Sequence, residues 1–256
     1  MSDYKLFIDK MHRLIGVDLT LYKEAQMRRR LTSLRNKLGY DTFNQYYDAL
    51  QADKQLLQQF IDRITINVTE FYRNPKRWEV LRNTVFPELT KNKASLHIWS
   101  AACSTGEEPY SIAIMLKEHF PHVQVTITAT DIDERVLEKA KIGAYVEIQL
   151  KDLPRFKKSK YFTFKNNKYY VDESLKSNIT FKRHDLLKDS YPSRVDLIVC
   201  RNVLIYFTDP AKEKIYDKFS KSLQKDGFLF VGSTEQIFNP EKHGLTLFDT
   251  FFYRKQ

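Results

Sequence analysis

Side chains able to hold a polar ligand recur where strand-like runs end. Leu96-His97-Ile98-Trp99 leads into Ser100-Ala101-Ala102-Cys103-Ser104-Thr105-Gly106, a loop of small residues, and the helical set Tyr110, Ile112, Ala113, Met115 and Leu116 follows. Asp131 closes the run Val123 to Thr130, Asp185 follows Ile179-Thr180-Phe181, and Asn202 follows Val195 to Cys200. Small side chains let a ligand approach the backbone, and a helix N-terminus offers unpaired N–H groups. An acid after the second strand accepts hydrogen bonds from ribose hydroxyls. The loop is neither a three-glycine dinucleotide fingerprint nor a Walker loop, because it has one Gly and no Gly-Lys-Ser/Thr follows. Glu107 and Glu108, directly after Gly106, would repel a pyrophosphate. This pattern favours a phosphate-free nucleoside over NAD or ATP. S-adenosylmethionine fits, with its ribose, adenine, sulfonium and an amino-acid tail whose ammonium can meet a carboxylate. Taken singly, acids in a first helical turn can serve only as caps; their recurrence at successive strand ends is more specific.

The elements that must position these residues fall into two groups. Lys23 to Gly39 places Met27, Leu31, Leu34 and Leu38 on one helical face, with Gly39 as the stop. Phe43, Tyr46, Tyr47 and Leu50 form a second set after an N-cap at Asp41 or Thr42, and Leu56, Leu57, Phe60, Ile61 and Ile64 a third. After Lys93 strands and helices alternate, which predicts an α/β unit with a mostly parallel sheet. Tyr161 to Phe164 and Tyr169 to Val171, flanking Lys165-Asn166-Asn167-Lys168, read as an inserted β-hairpin. Leu245 to Tyr253 supplies one or two edge strands.

The 256 residues suffice for one or two domains with a sizeable core. An apolar fraction of 42% with 33 Phe and Tyr residues (18 and 15) argues against wholesale disorder. No run approaches the ~20 apolar residues of a membrane span, and Met1-Ser2-Asp3-Tyr4-Lys5 does not open a signal peptide. Two cysteines, Cys103 and Cys200, fit a reducing compartment, so the expected location is cytoplasmic. A net charge of +10 points to an acidic partner: nucleic acid, anionic membrane or acidic protein. His119 and His122 have no third ligand at metal-binding spacing, so no metal is expected.

Four segments resemble the CheR-type chemotaxis receptor methyltransferases: Asn67-Val68-Thr69-Glu70-Phe71-Tyr72-Arg73, Trp99 to Ser111, Ala129-Thr130-Asp131-Ile132-Asp133, and Cys200-Arg201-Asn202-Val203-Leu204-Ile205-Tyr206-Phe207. Their order and the chain length agree with that family throughout. The resemblance implies a Rossmann-like class I S-adenosylmethionine-dependent methyltransferase sheet with an inserted antiparallel β subdomain, preceded by a small all-α domain. The expected divisions are a helical domain over 1–75, a connector over 76–93 and the methyltransferase domain over 94–256, with the hairpin subdomain at about 145–178.

By the same resemblance, Asn67, Thr69 and Arg73 reach the cofactor site. Glu107 and Asp131 hold the methionine amino group and the ribose, in an order left open. Asp185, Leu186, Asn202 and Val203 frame the adenine and donor region, and Arg73 and Tyr206 sit nearest the reacting centre as catalytic candidates. The implied reaction moves a methyl group from S-adenosylmethionine to glutamate carboxylates in the helical cytoplasmic methylation region of chemoreceptors, leaving S-adenosylhomocysteine. Arg28, Arg29, Arg30 and Arg35 are candidates to dock that acidic helix, with Lys37 beside them and no acid between residues 25 and 40. The protein is expected to be a monomer without membrane insertion. In some family members the hairpin grips a receptor C-terminal peptide by strand addition; here its aromatics can equally cover the core. Two rival readings are a nucleic-acid methyltransferase and a non-catalytic signalling module. The first lacks the Asn/Asp-Pro-Pro-aromatic segment, since Arg201-Asn202-Val203-Leu204 stands in its place, and the second leaves Asn67, Thr69, Arg73 and Tyr206 without a purpose.

Overall fold

The computed structural model describes residues 2–65, 67, 69–91 and 93–256; Val68 of the first family segment lies outside them. The chain divides into two compact units, residues 1–66 with 205–213, and residues 67–204 with 214–256.

The helical unit contains α1 (Asp3–Ile15), α2 (Glu24–Lys37), α3 (Phe43–Ala52) and α4 (Lys54–Ile64). Polar caps set their starts. Thr42 and Gln45 form a reciprocal capping box at α3, and Asp53 accepts from the Gln55 and Leu56 amides at α4. Gly39 follows α2 with φ 81, as the sequence predicts for its stop. The core gathers Tyr4, Phe7 and Met11 of α1 with Leu31, Tyr46, Leu50 and Phe60, and the Phe7 and Tyr46 rings stack at 5.8 Å. Each such side chain contributes about 1.5–3 kcal/mol on burial. Residues 205–213 pack here: the Lys23 amide donates to the Tyr206 carbonyl at 2.9 Å, and the Tyr22 and Phe207 rings meet edge-on.

The α/β unit opens with α5 (Pro75–Val80), a π turn (Leu81–Val85) and α6 (Phe86–Thr90). This stretch, read from sequence as a connector, is helical and buries Trp78, Leu81, Val85, Phe86 and Leu89 in the unit's core. Then come β1 (Ser95–Ala101), α7 (Glu107–His119), β2 (Gln124–Asp131), α8 (Glu134–Ile142), β3 (Ala144–Tyr145), α9 (Arg155–Tyr161), β4 (Phe162–Lys165), β5 (Lys168–Val171), α10 (Glu173–Lys176), β6 (Ile179–Arg183), β7 (Val195–Cys200), α11 (Asp209–Ser222), β8 (Leu223–Val231), β9 (Leu245–Asp249) and β10 (Phe252–Lys255).

The main sheet has the order β6-β2-β1-β7-β8-β10-β9. Strands β6, β2, β1, β7 and β8 run parallel, and β10 enters antiparallel between β8 and β9. Of the tail strands only β9 is an edge. Chain order reverses between β1 and β7, so the loops after β1, β2, β6 and β7 emerge at the carboxyl ends around one topological switch point, where open α/β sheets bind ligands. A separate sheet, β3-β5-β4, is the inserted subdomain. Its β4–β5 turn carries Asn166 and Asn167 at φ 51 and 58, the left-handed pair that a two-residue hairpin requires.

Candidate functional site

The β1–α7 loop is shaped by backbone that few side chains favour. Ala102, Ser104 and Gly106 have φ of 64, 49 and 96. A Cβ on Gly106 would stand 2.9 Å from the Ala140 Cβ and 3.0 Å from the Tyr145 hydroxyl, so α8 and the inserted subdomain close directly onto the loop. The Cys103 amide donates to the Thr130 carbonyl at 2.8 Å, tying the loop to β2.

Asp131 completes that tie. Its Oδ2 accepts from the Ser104 amide at 2.8 Å and its Oδ1 from the Asp133 amide at 3.1 Å. Burial pushes its carboxyl up to about 6, against the amides that favour the charged form. Asn67 bridges the same loops, donating to Asp133 Oδ2 at 3.1 Å and accepting from the Ser104 hydroxyl at 3.4 Å. Asp133 also caps α8 through the Arg135 amide. A carboxylate has about four lone-pair sites, so Asp131 retains capacity for a hydroxyl donor beside the Ser104, Asp133 and Ile132 amides.

Glu107 is fully buried in the first turn of α7. Thr105 Oγ1 donates to one of its oxygens at 2.7 Å and Gln149 Nε2, from the inserted segment, to the other at 2.9 Å. Burial raises its carboxyl above the usual range while these neutral donors hold it down. The Tyr145 hydroxyl donates to the Thr105 carbonyl at 2.7 Å. Both buried thiols, Cys103 and Cys200, are free, and burial pushes them up.

Glu108 does something else. Its Oε1 accepts from Ser100 Oγ at 2.7 Å, and its Oε2 lies 3.7 Å from Arg201 Nη1. Arg201 is buried and its Nη2 donates to the Arg73 carbonyl at 2.8 Å and to Asn74 Oδ1 at 2.9 Å. The Arg73 carbonyl also accepts from Trp78 Nε1 at 2.9 Å. Arg73 and Thr69 are half-buried.

At the end of β7, Asn202 adopts φ 61 and donates its amide to Glu235 Oε2 at 2.6 Å; Gly232, after β8, donates to the same oxygen at 2.8 Å. A Cβ on Gly232 would lie 2.3 Å from that oxygen and 2.9 Å from the Asn202 nitrogen, so the two strand ends close tightly around one carboxylate. Val203 follows half-buried. After β6, Asp185 accepts from the Leu187 amide at 2.8 Å, while its own amide donates to Asp189 Oδ2 at 2.8 Å. Lys218 donates to the carbonyls of Leu187 and Asp189 at 3.2 Å. The Asp185 carboxylate thus shapes the turn that carries Leu186.

In the helical unit the four arginines of α2 have different surroundings, with Arg29 beside Arg28 at one recess and beside Arg30 at another. Arg28 lies over the Tyr4 ring at 5.5 Å and Arg35 over Phe43 at 4.7 Å. Arg29 and Arg30 instead line a recess of about 680 Å³ together with Lys37, Arg63 and Tyr206, and the Arg30 guanidinium stands 5.5 Å from the Tyr206 ring. Sequence reading omitted Arg63 because it comes from a different helix. The sequence assigns no role to Arg201, Gln149 or Glu235 and only a repulsive one to Glu108, since the side chains they meet are distant in the chain.

Comparison with known proteins agrees in both units. Residues 2–65 match the family described as CheR methyltransferase, all-alpha domain, and residues 67–251 match CheR methyltransferase, SAM binding domain. A chemotaxis protein methyltransferase of Listeria innocua is 45% identical over 255 residues, covering 99% of this chain and 97% of that protein. The chemotaxis protein methyltransferase of Borreliella burgdorferi is 37% identical, covering 90% and 88%. Among the described residues no helix is long and apolar enough to cross a membrane. The chain belongs to the CheR methyltransferase family and is an S-adenosylmethionine-dependent methyltransferase of chemotaxis.

Proposed function

We propose that this enzyme forms methyl esters on glutamate side chains of chemoreceptors, using S-adenosylmethionine bound at the carboxyl ends of β1, β2, β6 and β7. The donor supplies a methyl group activated by its sulfonium. Asp131 accepts from the ribose hydroxyls with the lone-pair capacity its backbone amides leave open. Glu107 meets the ammonium, since a buried carboxylate whose side-chain partners are a neutral hydroxyl and a neutral amide gains from a cation. Asn67 and Thr69 line the connector side, and Asp185, Leu186, Asn202 and Val203 frame the base. The observation that carries the reading is the pairing of two buried carboxylates, Asp131 and Glu107, around one small-residue loop.

A receptor glutamate is ionised at neutral pH, with an unperturbed pKa of about 4.3, so no strong base is required. The protein must strip water from that carboxylate and place one oxygen in line with the methyl carbon. Positioning of this kind supplies on the order of 7–11 kcal/mol of a barrier. Arg73 presents a fork of donors that orients a carboxylate, and Tyr206 contributes a hydroxyl. Arg29, Arg30, Lys37 and Arg63 attract the acidic receptor helix to the recess that Tyr206 lines.

The test is incubation with methyl-tritiated donor and receptor-bearing membranes. Label released by mild alkali as volatile methanol supports the carboxyl ester. Label in RNA, with none in receptor, contradicts it.

A further inference from the structure

Arg201 stands one residue before Asn202, and its buried partner Glu108 one residue after Glu107. The guanidinium therefore meets the end of β7, the first turn of α7 and the segment that carries Arg73. Its Nη2 divides two protons between the Arg73 carbonyl and Asn74 Oδ1. Its Cζ stands 4.7 Å from the Phe230 ring centroid and 5.8 Å from that of Trp78. Trp78 Nε1 donates to the same Arg73 carbonyl at 2.9 Å.

The segment so held is one that would not hold itself. Tyr72 and Asn74, on either side of Arg73, have φ of 51 and 61, a region that costs an L-residue free energy and persists only where surroundings impose it. The Tyr72 amide is fixed by Ser111 Oγ at 3.1 Å. Arg73 thus sits between two left-handed residues, with its carbonyl clamped by two buried donors. Its side-chain direction follows from that backbone. A lone lysine at position 201 would keep the charge beside Glu108 but could not supply the same planar fork to both acceptors.

We propose that Arg201, paired with Glu108, is a positioning residue that sets the backbone of Tyr72-Arg73-Asn74 and so aims the Arg73 guanidinium at the acceptor carboxylate. This rests on the reading of Arg73 given above. Arg201 touches neither donor nor acceptor in this role, so its loss should fall on turnover and spare donor affinity.

The experiment compares the full-length wild type with Arg201→Lys and Asn74→Gly. Glycine tolerates the φ of position 74 while removing the exposed amide acceptor, so this variant folds even if Arg201→Lys does not. Arg201→Lys should lower kcat for receptor methylation at least tenfold, with S-adenosylhomocysteine affinity within twofold of wild type. Asn74→Gly should lower kcat about threefold in the same pattern. Hydrogen exchange over residues 70–76 should accelerate in both. Unchanged kcat, or parallel losses of donor affinity, in a folded variant would overturn the proposal, as would unchanged exchange over that segment. A wild type that leaves receptor carboxylates unlabelled would refute the functional reading instead, and the exchange comparison would still decide the role of Arg201.

Discussion

The Ser104 amide donates to Asp131 Oδ2 at 2.8 Å, joining the loop after β1 to the end of β2. One carboxylate therefore both shapes the left-handed backbone of the loop and presents its remaining lone pairs at the switch point. The same economy recurs at Glu235, whose Oε2 joins the ends of β7 and β8. Site geometry here is maintained by buried acids that accept backbone amides.

Asp131 makes the protein pH-sensitive with two opposite signs. Its folded pKa, raised from 3.8 to about 6, means that the native state retains a proton which the unfolded chain releases. Stability of the ligand-free protein should fall as pH rises from about 4 to about 6, by roughly 3 kcal/mol at most. Urea unfolding across this window checks it, and Asp131→Asn should abolish that share of the slope. Donor binding favours the ionised form, so S-adenosylhomocysteine affinity should be about fourfold weaker at pH 5.5 than at pH 7.5.

Gly106→Ala should destabilise the α/β unit. The backbone there has φ 96 and the new methyl would stand 2.9 Å from Ala140 Cβ. A left-handed L-residue costs about 1–2 kcal/mol, and overpacking about 1–3 kcal/mol. The urea midpoint should drop with little change in m.

The arginines of α2 that line the recess with Tyr206 should differ in function from those that lie over Tyr4 and Phe43. Arg29→Glu with Arg30→Glu should lower kcat/KM for an acidic receptor fragment about tenfold at low ionic strength and flatten its salt dependence. Arg28→Glu with Arg35→Glu, on the face that covers Tyr4 and Phe43, should leave kcat/KM within about threefold. Initial rates across a salt series distinguish the pairs. Equal losses would remove the recess from the docking surface.

Arg73→Ala should reduce kcat on the order of a hundredfold, and Tyr206→Phe on the order of tenfold, if both act on the acceptor. Calorimetry with S-adenosylhomocysteine should show a smaller change for each than the loss in kcat. Near-normal turnover by either variant would withdraw its catalytic assignment.

Much of this arrangement was legible in the chain. The hairpin was readable because Asn tolerates positive φ, and Asn166-Asn167 stands between two aromatic strand runs. The strand ends at Asp131 and Asn202 were readable because apolar β-like runs stop there at turn-favouring residues. The strained positions Tyr72, Ala102 and Ser104 were not, since nothing in those residue types announces a left-handed backbone that tertiary contacts impose. Glu108 read as a repeller of phosphate, yet it is spent on Arg201, a partner far along the chain. Asp185 reads as a ligand-framing acid, and the sequence does not show that its carboxylate also accepts the Leu187 amide in the turn that carries Leu186. Helix α1 escaped separate notice although Tyr4, Phe7, Ile8 and Met11 carry its buried face.

The most direct test of the account is calorimetric titration of S-adenosylhomocysteine into wild type, Asp131→Ala and Glu107→Gln, with unfolding curves to confirm that each variant is native. The account predicts one site in the wild type and at least tenfold weaker binding in both folded variants. Wild-type affinity in either folded variant would contradict the assignment of these two carboxylates to the donor.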